Sequence, residues 1–100
     1  MKILVLEKEI AGVKPLDFTQ EIKREEALKV WELYQDGIIR ELYFRPDLNT
    51  AVLVLECRNV REAEKLLDSL PLVREELITF EVVPLVPYSG FSRLFTQNSN

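Results

Sequence analysis

Histidine is absent from all 100 residues. That removes the usual general base at neutral pH, the Ser-His and Cys-His nucleophile pairs, and the commonest transition-metal ligand. Cysteine occurs once, as Cys57. One thiol forms no internal disulfide and is too few for a structural zinc site, so a reducing, cytoplasmic setting is expected. The three glycines, Gly12, Gly37 and Gly90, stand alone, so there is no glycine-rich loop to cradle a phosphate. A basic excess is also missing. Thirteen Lys and Arg face 17 Asp and Glu, for a net charge of -4, which argues against nucleic acid as a partner. No segment reaches the roughly 18 apolar residues that span a bilayer. Met1 leads straight into a predicted strand, so no leader and no membrane attachment are expected.

What remains is an ordinary globular composition, 47% apolar and 30% charged. The length suits one domain with one modest core. Lys2 to Lys8 predicts a strand. Ala11 to Leu16 reads as a connector, and Asp17 as a helix N-cap with Gln20 completing a capping box. Phe18, Ile22, Ala27, Val30, Trp31, Leu33 and Tyr34 then recur at helical spacing up to a stop at Gly37, against a polar face of Lys23, Arg24, Glu25, Lys29 and Glu32. The charges from Glu21 to Glu26 read as solvated. Ile38 to Arg45 and Thr50 to Cys57 predict a hairpin about the turn Pro46-Asp47-Leu48-Asn49. Asn59 and Glu62 open a second helix, which Pro71 is expected to end. Leu77 to Leu85 predicts the last strand, and Pro84 and Pro87 place its end at an edge.

The order is therefore β-α-β-β-α-β. It predicts an α+β, ferredoxin-like domain over residues 1–88: a four-stranded antiparallel sheet with two helices on one face. Residues 89–100 form a tail. Its Phe91, Leu94 and Phe95 should be docked on something, and its polar TQNSN end should be loose.

Period-two alternation sorts the strand residues into two faces. Leu4, Leu6, Ile38, Arg40, Leu42, Phe44, Ala51, Leu53, Leu55, Cys57, Ile78, Phe80 and Val82 make the expected helix-covered set. Ile3, Val5, Glu7, Ile39, Glu41, Tyr43, Arg45, Val52, Val54, Glu56, Thr79, Glu81, Val83 and Leu85 make the expected bare set. An apolar bare face marks an interaction surface, and a second copy packed there would form a homodimeric α/β barrel. Glutamates enclosed in such a barrel would be partly desolvated and near one another, a setting that tunes a carboxyl for proton transfer. Glu7, Glu56 and Glu81 are the candidate acid/base residues. Arg40 or Arg45 would hold a substrate carboxylate, and Tyr43 and Trp31 would form walls, although Trp31 on the apolar helix stripe also reads as core. Cys57 beside Arg58 reads as a buried, inert thiol, with redox activity the weaker alternative.

WELYQDGIIRELYFR, from Trp31 to Arg45, and SLPLVREELITFEVVPL, from Ser69 to Leu85, resemble the muconolactone isomerase family. The matching features are Gln35 and Gly37; Arg40, Leu42 and Tyr43; Leu70, Pro71 and Leu72; and Pro87. The resemblance implies a dimeric α/β barrel, often assembled further, and a cofactor-free isomerisation. In that reaction a base takes a proton from an unsaturated lactone and an acid returns it at another carbon. The chain departs from the family at Glu41, where the family strand carries histidine, and at Tyr43, where it carries tryptophan. Two expectations follow. One is a cofactor-free, metal-free isomerase acting on a small anionic unsaturated molecule. The other is a non-catalytic barrel that binds a small molecule or serves as an assembly module.

Overall fold

A computed structural model describes residues 1–96; the expectation of a loose end at 97–100 lies outside them. The strands are β1 (Lys2–Glu9), β2 (Ile39–Phe44), β3 (Ala51–Glu56) and β4 (Ile78–Pro84). The helices are α1 (Gln20–Gln35), α2 (Val60–Asp68) and a single turn, α3 (Pro71–Arg74). All four strands pair antiparallel in the order β2-β3-β1-β4, so β1 and β3 are central and Pro84 ends an edge strand. This is the ferredoxin-like arrangement the element order predicts.

Local signals account for most boundaries. Asn59 Oδ1 accepts the Glu62 N–H at 2.8 Å and starts α2; truncating such a cap typically costs ~1 kcal/mol. Gly37 lies at φ 79, a left-handed exit open to glycine. Two boundaries differ from expectation. Asp17 caps a short 3₁₀ turn, Pro15–Asp17, by accepting the Lys14 N–H, and Thr19 caps α1 instead. Pro71 does not end α2; it opens α3, where its missing N–H costs nothing.

The core lies between the helices and one sheet face. Ile3, Val5, Ile39, Leu53 and Leu55 meet Leu33 of α1 and Ala63 and Leu67 of α2. Leu67→Ala is expected to cost about 2–5 kcal/mol, through lost burial and the cavity left behind; urea unfolding would measure it.

The face assignment holds for β3, for β4 and for Leu42 and Phe44, and is inverted for β1. Ile3 stands opposite Leu55 and Val5 opposite Leu53, so Ile3, Val5 and Glu7 look towards the helices, while Leu4 and Leu6 lie on the open face with Val52 and Val54. β1 is apolar on both sides, and alternation alone does not choose its register. A bulge between Ile39 and Glu41 shifts the start of β2. Ile39 enters the core, and Arg40 leaves the covered set.

Trp31 is 56% exposed, so it is not core; with Leu28 and Tyr34 it forms an apolar strip on the outside of α1. Beyond β4 the chain runs out as an arm ending in a 3₁₀ turn, Gly90–Leu94. Leu85 is still tied to β1, donating to the Lys2 carbonyl at 2.9 Å, but the turn packs to no real extent on any helix or strand, so the docking expected of Phe91, Leu94 and Phe95 is not found within the single chain.

Candidate active site

α1 does not cover the whole sheet. At the hairpin end it stands away from β2 and β3, and leaves a cleft of about 520 Å³ between Ala27 and Val30 on one side and Leu42, Phe44 and Leu53 on the other. Leu70, Leu72 and Phe80 close its floor. Two carboxylates and one cation line this largely apolar space: Glu7, Glu26 and Lys23.

Both carboxylates are held by backbone amides that the fold leaves without a ladder or helix partner. The β1–β3 pairing stops at Leu6 and Val52; at the next position Glu7 Oε1 accepts the Ala51 N–H at 2.9 Å. The second N–H of a helix has no partner within the helix. In α3 that group belongs to Leu72, and Glu26 Oε1 accepts it at 3.0 Å. Burial pushes the Glu26 carboxyl above the ordinary glutamate value. The Leu72 amide opposes that shift, and the charge of Glu7 adds to it. Neither second oxygen, Glu7 Oε2 or Glu26 Oε2, has a protein donor among the described residues.

The glutamates expected to act together are separated by the sheet. Glu7 is in the cleft. Glu56 is on the opposite face, where the Met1 ammonium at 2.7 Å holds its carboxyl below the usual range. Glu81, also on that face, pairs with Lys8 at 3.3 Å. Arg40 donates from Nε to the Gly37 carbonyl outside the cleft. Arg45 is bound to Asp47 in the hairpin turn at 2.7 Å. Tyr43 borders the cleft, but its hydroxyl turns to Glu41 at 2.9 Å, which raises the phenol's pKa. Trp31 does not line it. Cys57 is buried, and desolvation pushes its thiol up rather than down. No cluster of three or more metal-ligating side chains occurs among the described residues.

On sequence Glu26 and Lys23 fall in the charged run Glu21–Glu26 expected to be solvated, whereas both line the cleft. The signal for Glu26 was present: Ile22, Glu26, Val30 and Leu33 follow one another at helical spacing along the packed side of α1.

The arrangement resembles solved structures more than known sequences. Muconolactone isomerase superposes with a TM-score of 0.72 over 100% of this chain and 98% of that one, at 20% identity. The chain has the fold of muconolactone isomerase. That fold is shared with 5-chloro-2-hydroxyhydroquinone dehydrochlorinase of Burkholderia phenoliruptrix, solved in complex with 2,5-dihydroxybenzoquinone. There the TM-score is 0.59 at 15% identity, over 90% of this chain and 98% of that one. No family model and no curated protein sequence matches the chain. The muconolactone-isomerase-like fold expected from the sequence is thus found in three dimensions at low identity. No helix among the described residues is long and apolar enough to cross a membrane.

Proposed function

We propose that this chain is a cofactor-free acid/base catalyst that shifts a proton on a small, unsaturated, lactone-like anion, and that the cleft between α1 and the sheet is its reaction site. One observation carries the reading: a carboxyl raised by burial, Glu26, shares an apolar cleft with a second, amide-anchored carboxylate, Glu7. Groups of one type in unequal settings divide into an acid and a base. Glu7 Oε2 takes a proton from a ring carbon. Glu26, protonated above the usual carboxylate range, delivers one to another carbon. Return of the proton from Glu7 to Glu26 resets the pair. Lys23 partly offsets the negative charge that develops on the ring. The two solved neighbours support the reading, since isomerising a lactone and removing hydrogen chloride both displace a proton. The open sheet face, with Leu4, Leu6, Val52, Val54 and Val83, supports a homodimer.

The test is hydrogen–deuterium exchange and isomerisation of carboxylate-bearing unsaturated γ-lactones in heavy water. The wild-type chain is expected to exchange and convert them. Glu7→Gln should lower the rate by roughly 10²–10⁴-fold, the usual share of a positioned base. Wild-type rates at the buffer background across such lactones would sink the proposal.

A further inference from the structure

The cleft between α1 and the sheet does not end at its own walls. A second cavity of about 530 Å³ adjoins it on the side of the connector between β1 and α1. Glu7, Phe18, Lys23, Asn49 and Ile78 line both spaces, so a molecule seated over Glu7 and Glu26 can continue past Phe18 and Lys23 into the outer one. Cavities of roughly 300–1,000 Å³ enclose drug-sized ligands. A bare five-membered lactone fills the inner cleft only in part and gives the outer cavity nothing to hold.

The two spaces differ in chemistry. The inner cleft is largely apolar and acidic by one charge, with Glu7 and Glu26 against Lys23. In the outer cavity Lys14 and Lys23 balance Glu7 and Glu9, beside the apolar Val13 and Leu77. An anionic group is therefore repelled less in the outer space than beside Glu26, and it meets a second cation there.

That cation stands on a preformed support. The Val13 N–H donates to the Ile10 carbonyl at 3.2 Å, about Gly12 at φ 89. The Lys14 N–H donates to Asp17 Oδ2 at 2.7 Å, and the Asp17 N–H returns to the Lys14 carbonyl at 2.9 Å. Pro15 stiffens the turn they close. The backbone at Lys14 is thus held from both sides, while its ammonium has no carboxylate partner among the described residues.

We propose that the outer cavity is a subsite for a side chain on the substrate ring, and that Lys14 holds a carboxylate at the end of that chain. The substrate is then an unsaturated lactone bearing a carboxyalkyl chain of several carbons. Val13 and Leu77 cover the methylenes, the ring stays over Glu7 and Glu26, and Lys23 remains free to face the ring. A lysine contact made through a charge-assisted hydrogen bond fixes the far end of the molecule and so limits how the ring can lie. The chemistry at the ring rests on the function proposed above; the binding of the chain does not.

The test reads binding without turnover. Saturated γ-lactones have no double bond to isomerise, so calorimetry with saturated γ-lactones carrying carboxyalkyl chains of increasing length measures the subsite alone. Wild-type affinity is expected to rise about 2–4-fold for each methylene buried. Lys14→Gln should weaken the longest acid about 5–10-fold and spare its methyl ester. Lys65→Gln on α2 makes the same change in net charge and should weaken neither. Val13→Trp should fill the cavity and flatten the length series. A wild-type affinity that is flat with chain length, or a rise that survives Val13→Trp, overturns the subsite. Equal weakening of acid and ester by Lys14→Gln, or none, overturns the role of Lys14. A rising series in a chain that exchanges no lactone protons leaves the subsite standing and removes the chemistry; proton exchange with a flat series does the reverse.

Discussion

Glu26→Gln is expected to lower lactone isomerisation by roughly 10²–10⁴-fold while making the folded chain more stable at pH 7. The two effects share one cause. Burial raises the Glu26 carboxyl above its unfolded value, so between those two values the folded chain holds a proton that the unfolded chain has released. Stability then falls as pH rises through that window, and the deficit persists at neutral pH. Glutamine carries no charge and keeps the oxygen that accepts from Leu72. The variant's melting temperature should exceed the wild type's at pH 7, and the two should converge at pH 4, where the wild-type carboxyl is protonated when folded. The rate should follow the same group. As the acid form is lost, turnover falls with rising pH along a limb displaced above the ordinary glutamate range, and that limb is absent from the variant's residual activity. A melting gap of the same size at both pH values, or a variant less stable at pH 7, would contradict the assignment. Trading stability for reactivity in this way is a recurrent property of working sites.

The second large effect is expected on the open face of the sheet. Val54 lies opposite Leu4 in β1 and Glu41 in β2, in the middle of the apolar strip. If two copies pack these faces together, Val54→Asp places an unpaired charge in the contact, close to Glu41. An uncompensated buried charge costs about 3–5 kcal/mol, or a factor of roughly 10²–10³ or more in the dissociation constant. The isolated domain should still fold, because Val54 points away from the core of Ile3, Val5 and Leu53. Sedimentation velocity at micromolar concentration should show a dimer for the wild type and a monomer for the variant, with matching circular dichroism. A wild-type chain that sediments as a monomer would remove the dimer.

The sequence was most legible where local chemistry acts alone. Asn59, Gly37 and the Pro46–Asn49 turn place boundaries by capping or backbone preference, and the element order then leaves little freedom in topology. It was least legible where two strands must agree. Lys2 to Glu9 is apolar on both sides, so its neighbours decide which way Ile3 and Glu7 point, and the single-residue bulge in β2 is invisible to alternation. Both faults fell on the site. They put Glu7 with Glu56 and Glu81, on a surface it does not share with them, and kept Arg40 in a set it leaves. Glu26 was hidden for another reason. In a run of charged residues its place on the packed stripe of α1 was the sole sign that it differed from Glu21 and Glu25.

The two outer strands carry a further consequence. β4 ends in a proline with no amide to donate, and β2 is kinked by its bulge. Neither offers a long, straight row of open backbone groups for another strand to extend. Concentrated solutions of this chain should therefore resist lengthening into fibrils by lateral strand addition.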